Sequence, residues 1–305
     1  MPMPTDTNRN DKERQLTDLD EPVINVLGIE VNQELLLRWT GWFAPKSQPF
    51  LIPKGHRLET IGERFDPKQN PEIRDTFEIY GEEDRILCRA VDAEAFLALP
   101  RDERSNLIQL QVQQGRPLVP AIRSWPNLSS RAINAAGNGL RFLWWPHLLV
   151  GHAEEILIPY IEEGRLPSRH HEVPEEVWLD ASSALPGARA IAGTFALASG
   201  PNCFGTVMAA AGVEGASLEW TLREPFEEWL TQNSSVGGND EKTGTLLIWR
   251  SDSGQVEHAA VTLGGGLALH KPSQGWMSPV KVLRVAEIIL SARSKGRRLT
   301  RRQLE

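Results

Sequence analysis

Cysteine is scarce in this chain: two in 305 residues, Cys88 and Cys203, too few for a disulfide framework. No apolar run approaches the ~20 residues that a membrane span requires. The N-terminus, Met1 to Asp6, lacks a basic stretch followed by an apolar core, so no signal peptide is legible. The expected location is therefore cytoplasmic, unless a dedicated machine exports the chain without a cleaved signal. Positive charge is also in deficit. A formal charge of −7 argues against general nucleic-acid binding, because phosphate recognition needs a positive field. What remains has ordinary globular composition, 40% apolar and 24% charged, and is long enough for two domains or one elaborated domain.

The first twenty residues are polar and charge-rich, and the expectation for 1–20 is disorder. From Val23 to Val91 the pattern is β-rich, with strands expected at Val23–Leu27, Leu35–Trp39, Phe77–Tyr80 and Arg85–Cys88. After Asp102 it turns helical, with Leu107, Leu110 and Gln114 at helix spacing and a second apolar face from Trp144 to Tyr160. This region, 21–185, carries no motif tied to a chemistry. Its Cys88 reads as a core thiol, and most of the ten tryptophans as core. His170-His171-Glu172 lacks ligand spacing and reads as a solvated loop, as do His147 and His152. No metal site or cofactor is expected.

The informative stretch is Asn202-Cys203-Phe204-Gly205. A loop of small residues, Ala198 to Asn202, delivers Cys203 to the start of a helical run ending near Gly212, its expected C′ residue. A thiol in a first helical turn meets the positive end of the backbone dipoles, which favours the thiolate. Further along, Glu257 to Leu263 and Leu267 to His270 flank Gly264-Gly265-Gly266 and read as a β-hairpin. With an odd-length loop, Leu263 pairs with Leu267 and Ala260 lies opposite His270. One face then carries His258, Ala260, Thr262, Ala268 and His270, and the other Ala259, Val261, Leu263, Leu267, Leu269 and the stem of Lys271.

A cysteine at a helix start, then a histidine, then a second histidine twelve residues on across a glycine turn, resembles the NlpC-type peptidases of the papain-like superfamily. Gly244 to Trp249, where that family has Gly-Asp and an apolar strand, and Pro272 to Val282 extend the likeness. It covers about a third of the chain, from near Ala190 to near Val285. Departures are Asn202-Cys203-Phe204-Gly205 for the family's Asp-Cys-Ser-Gly, Gly244-Thr245 for Gly-Asp, and Phe195 where a tyrosine hydroxyl is usual.

The resemblance implies an α+β fold in which a cysteine-bearing helix packs on a small antiparallel sheet, as a domain over 186–290. Its implied nucleophile is Cys203, its general base His258 and its orienting residue His270. The backbone N–H of Cys203, with the side-chain amide of Asn202, would face the oxyanion. The expected activity is cysteine peptidase or amidase action on a small peptide-like amide, a cell-wall peptide by resemblance. An acyltransferase, effector or toxin on the same triad and a non-catalytic binding module are the alternatives. Ser234 to Glu241 reads as a flexible connector or a lid. The run Arg293 to Arg302 makes 291–305 a basic tail, expected to be solvated or to dock on an acidic partner or on the protein's own acidic surface.

Overall fold

A computed structural model describes residues 23–80, 85–128, 133 and 136–305. The segment expected to be disordered, 1–20, lies outside the described residues. Strands β1 (Ile24–Val26) and β2 (Ile29–Val31) form a small hairpin, followed by helix α1 (Gln33–Phe43). Asn32 starts α1 by accepting the Leu35 N–H on its side chain at 2.9 Å. Leu36, Trp39 and Phe43 are buried at helical spacing, which corrects the strand expected at Leu35–Trp39. A continuous apolar run has no period of its own; burial of one face decides between the two states, and the Asn32 cap fixes where the helix starts. Strands β3 (Ser47–Pro53), β4 (Glu63–Arg64) and β5 (Ile86–Asp92) make a three-stranded antiparallel sheet in the order β3-β5-β4.

Between β4 and β5 lies α2 (Pro71–Thr76). The strand expected at Phe77–Tyr80 is absent, because the backbone turns at Glu78, whose φ is +54°. Helices α3 (Ala93–Ala98), α4 (Arg101–Gln113), α5 (Pro146–Leu149) and α6 (Ala153–Glu162) follow in this half. Its core is aromatic, with Trp39, Phe43, Phe50, Phe96 and Trp145 all fully buried. Cys88, expected as a core thiol, is half-buried and packs against this core.

After α7 (Glu175–Ala181), α8 (Ala188–Ile191), α9 (Cys203–Ala210) and α10 (Arg223–Asn233) comes a six-stranded sheet. Its strands are β6 (Ser234–Val236), β7 (Thr245–Arg250), β8 (Val256–Gly264), β9 (Leu267–His270), β10 (Lys281–Arg284) and β11 (Arg298–Leu304). All pairs are antiparallel, in the order β10-β9-β8-β7-β11-β6. One face packs on α9, with Phe204, Val207 and Ala210 against Ile248, Ala259, Val261 and Leu269. The other packs on α11 (Val285–Ser291), whose Val285 and Ile288 meet Leu247, Ala260 and Ala268. The protein is thus α+β.

Residues 291–305, expected as a basic tail that is solvated or docked, contain β11, which is paired on both sides, by β7 and β6. Its arginines reach acids of the same chain, Arg301 holding Asp240 at 2.7 and 3.0 Å and Arg297 holding Glu257 at 2.6 Å. The Ser234–Glu241 connector begins as strand β6, and Asp240 is fixed by that arginine. The core beneath the sheet also takes Val173, Trp178 and Leu185 from upstream of residue 186. The two halves meet at Trp276, fully buried against Trp39 and Trp42, with its Nε1–H donating to Thr76 Oγ1 at 2.8 Å.

Candidate functional site

Asn202 has extended backbone and caps α9, its Oδ1 accepting the Gly205 N–H at 3.1 Å. Its Nδ2 donates to the Thr221 carbonyl at 2.7 Å. The side-chain amide expected at the oxyanion is therefore turned to the loop, and the residue holds the helix in place. Phe204, where the resembling family has a serine, stacks on Phe226 of α10 with ring centroids 4.4 Å apart. Gly205 is demanded by close approach, since a Cβ there would lie 2.1 Å from the Ala216 carbonyl oxygen. Gly212, at φ +92°, ends the run as its C′ residue.

The hairpin closes differently in detail. Gly264 pairs with Leu267 across a two-residue Gly265-Gly266 turn, and a bulge after Thr262 restores the register Thr262↔Ala268 and Val261↔Leu269. His258 and His270 accordingly share a face, both nearly buried, with Nε2 atoms 2.8 Å apart. Their rings meet edge to face at a centroid separation of 4.9 Å, and His258 also rests on Trp249. One ring must donate through Nε2 while the other accepts there. Nδ1 of His270 is buried without a partner; Nδ1 of His258 has no protein partner either, but is not sealed off.

Cys203 is the residue that the structure does not bring to the rings. It packs with Ala259 and Val261, on the α9 face of β8, and no hydrogen bond joins it to either imidazole. Burial pushes its thiol up to about 11, against the pull of the Ala259, Phe204 and Cys203 N–H groups and the Lys271 charge. Ala259 directly follows His258, so the sulfur stands beside the backbone of the histidine rather than its ring. Burial, with Arg297 adding, pushes His258 down to about 4, and His270 is held well below the usual histidine range by burial, then by His258, Lys281 and Lys271. At neutral pH the thiol and both rings are uncharged.

The imidazoles border a cavity of about 720 Å³ between the two halves, lined also by Asp75, Tyr80, Arg165, Lys281 and Leu283. Cys203 does not line it. Asp75 and the buried lysine head groups have no signature in the sequence beyond a lysine continuing an apolar face: Lys271 is expected with its stem on that face, and its ammonium is buried as well and donates to the Ser278 carbonyl. Among the described residues no group of three His, Cys, Asp or Glu side chains is placed to hold a metal ion. His170 and His171, expected in a solvated loop, sit in a short 3-10 turn with His170 Nδ1 3.0 Å from Ser168 Oγ. Cys88 borders a separate cavity of about 410 Å³, and burial pushes its thiol up to about 12. No helix of the described residues is long and apolar enough to cross a membrane.

No family model, curated protein or solved structure matches the chain.

Proposed function

We propose that the chain is a thiol hydrolase of papain-like type, acting as a peptidase or amidase on a peptide-like amide. The observation that carries this reading is the 2.8 Å contact between His258 Nε2 and His270 Nε2, made by the two histidines that the hairpin register brings together. That bond commits His258 Nε2 and leaves Nδ1 as the only nitrogen free to take a thiol proton. For that task His258 carries its proton on Nε2 and donates to His270, which then holds its own on Nδ1. Cys203 is the nucleophile, lying at the tip of α9 beside the Ala259 N–H.

In the reaction His258 Nδ1 accepts the proton of the Cys203 thiol as sulfur attacks the carbonyl carbon. The carbonyl oxygen takes the negative charge and is held by the Cys203 N–H, a contribution of roughly 3–4 kcal/mol for one such donor. His258 returns the proton to the leaving amine, and water releases the acyl group from sulfur. An amine or alcohol in place of water makes the same centre an acyltransferase. Because thiol and imidazole are neutral at rest, this is general-base catalysis on a thiol rather than a preformed thiolate–imidazolium pair.

One specific observation favours a second reading. Cys203 and the histidine rings stand on different faces of β8, and the rings alone border the large cavity. On that reading the fold binds a ligand at the histidines without turnover. Incubation with an activated acyl ester, followed by mass spectrometry of the intact chain, separates the two. An acyl adduct on Cys203 that is absent in His258→Ala supports the hydrolase. No adduct, or one equally formed without His258, leaves only the binding function.

A further inference from the structure

The cavity beside the histidines is lined by charges of both signs. Asp75, whose carboxylate is fully buried, is held by Arg74 at 2.9 Å and acts on Tyr80 and Lys271. Lys281 stands directly across from His270 in the β10–β9 register, 3% exposed, with Arg165 as its charged neighbour. Lys281 Nζ donates to the Leu166 carbonyl at 2.8 Å, and Arg165 donates to the Ile161 carbonyl. Neither is within ion-pair distance of any acid among the described residues. Of the other acids that line the cavity, Glu287 is paired with Arg169 at 3.0 Å, and Glu78 acts on Tyr80 and Tyr160.

A buried ammonium with no acid partner, next to a second cation, is costly unless something anionic joins it. Burial and Arg165 together push Lys281 down to about 8, the direction expected of an ammonium lacking its counter-charge. An ammonium and a guanidinium side by side match the two oxygens of a planar carboxylate. The cavity volume, about 720 Å³, is that of a site for a small ligand such as a short peptide.

We propose that Lys281 and Arg165 form a carboxylate-recognition site, so that the ligand of this cavity presents a free carboxylate beside His270. The inference rests on the hydrolase reading only in making that ligand its substrate; binding itself needs no thiol chemistry.

The test is direct binding to the full chain carrying Cys203→Ala, in which nothing is turned over. N-acetyl-alanyl-glycine and its C-terminal amide are titrated separately while the histidine ring protons are followed by NMR. The acid is expected to shift the His270 ring signals and to bind at least tenfold tighter than the amide. Lys281→Met is expected to abolish that preference. Arg165→Gln, on the surface, is expected to weaken acid binding several-fold, and keeps the test decisive if Lys281→Met does not fold. Equal binding of acid and amide, no binding of either, or a preference undiminished in both variants overturns the proposal. Inorganic phosphate binding more tightly than the acid, with the same ring shifts, overturns the carboxylate assignment in favour of a phosphoryl group. If the acid binds as expected but the unmodified protein never cleaves peptide acids or forms an acyl adduct, the hydrolase reading fails and this site stands.

Discussion

Cys203 and His258 belong to neighbouring positions of the fold but to different faces of one strand: the thiol packs with Ala259 and Val261, and the imidazole rests on Trp249. Chemistry between them needs the ring to move, and neither group is charged before it does.

The first consequence is a displaced pH profile. Burial sets His258 at about 4 and Cys203 at about 11, so the neutral base and neutral thiol coexist between those values. The acid limb of kcat/KM for amide hydrolysis is expected near pH 4, not near 6.5. A limb at 6.5 would mean a solvated histidine. Alkylation of Cys203 by iodoacetamide is expected to be slow at pH 7 and to rise about tenfold per pH unit through pH 10, following the thiolate fraction.

Stability is expected to fall in mild acid. The unfolded chain binds a proton at each histidine near pH 6.5, whereas the folded one holds His258 neutral down to about 4. The unfolded state therefore binds more protons through that window, and the stabilisation complete above pH 6.5 is lost as pH drops toward 4. At about 1.4 kcal/mol per pH unit, His258 alone contributes on the order of 3 kcal/mol. Urea unfolding at pH 7 and at pH 4.5 measures it, and His258→Gln should reduce the difference, leaving the part that His270 contributes.

Replacing Asn202 by Ala removes the cap on α9 and the bond to Thr221, and is expected to cost about 1–2 kcal/mol. Asn202→Asp keeps an oxygen for the Gly205 N–H but loses the donor to Thr221, so its cost should be smaller than that of Ala. Denaturant midpoints of the three proteins decide the order.

Gly205→Ala places a methyl group against the Ala216 carbonyl and is expected to destabilise by roughly 1–3 kcal/mol, although alanine is the better helix former. A stabilised Gly205→Ala protein would show that the loop at Ala216 yields freely.

Trp276→Phe removes the hydrogen bond to Thr76 across the two halves while keeping most of the ring, with an expected loss of about 1 kcal/mol. Trp276→Ala empties a fully buried site and should cost about 3–5 kcal/mol. Thermal unfolding reports both, and a Phe variant as damaged as Ala would move the weight from packing to the hydrogen bond.

Local chemistry alone determined a good deal. The helix beginning at Cys203 follows from Asn202 as cap and Gly212 as terminator, and the shared face of His258 and His270 follows from strand alternation about a glycine turn. Those signals act over a few residues, so they survive without knowledge of the rest. Tertiary structure decided what distant partners decide. Leu35–Trp39 became helix because Trp39 and Phe43 are buried on one side, and the arginine-rich end became an interior strand because β7 and β6 supply its backbone partners. The side of β8 on which sulfur lies, the burial of Lys271 and Lys281 and the place of Asp75 in the cavity lining are likewise set by contacts between segments far apart in sequence, and a burial energy that depends on such neighbours leaves no periodic trace in the chain.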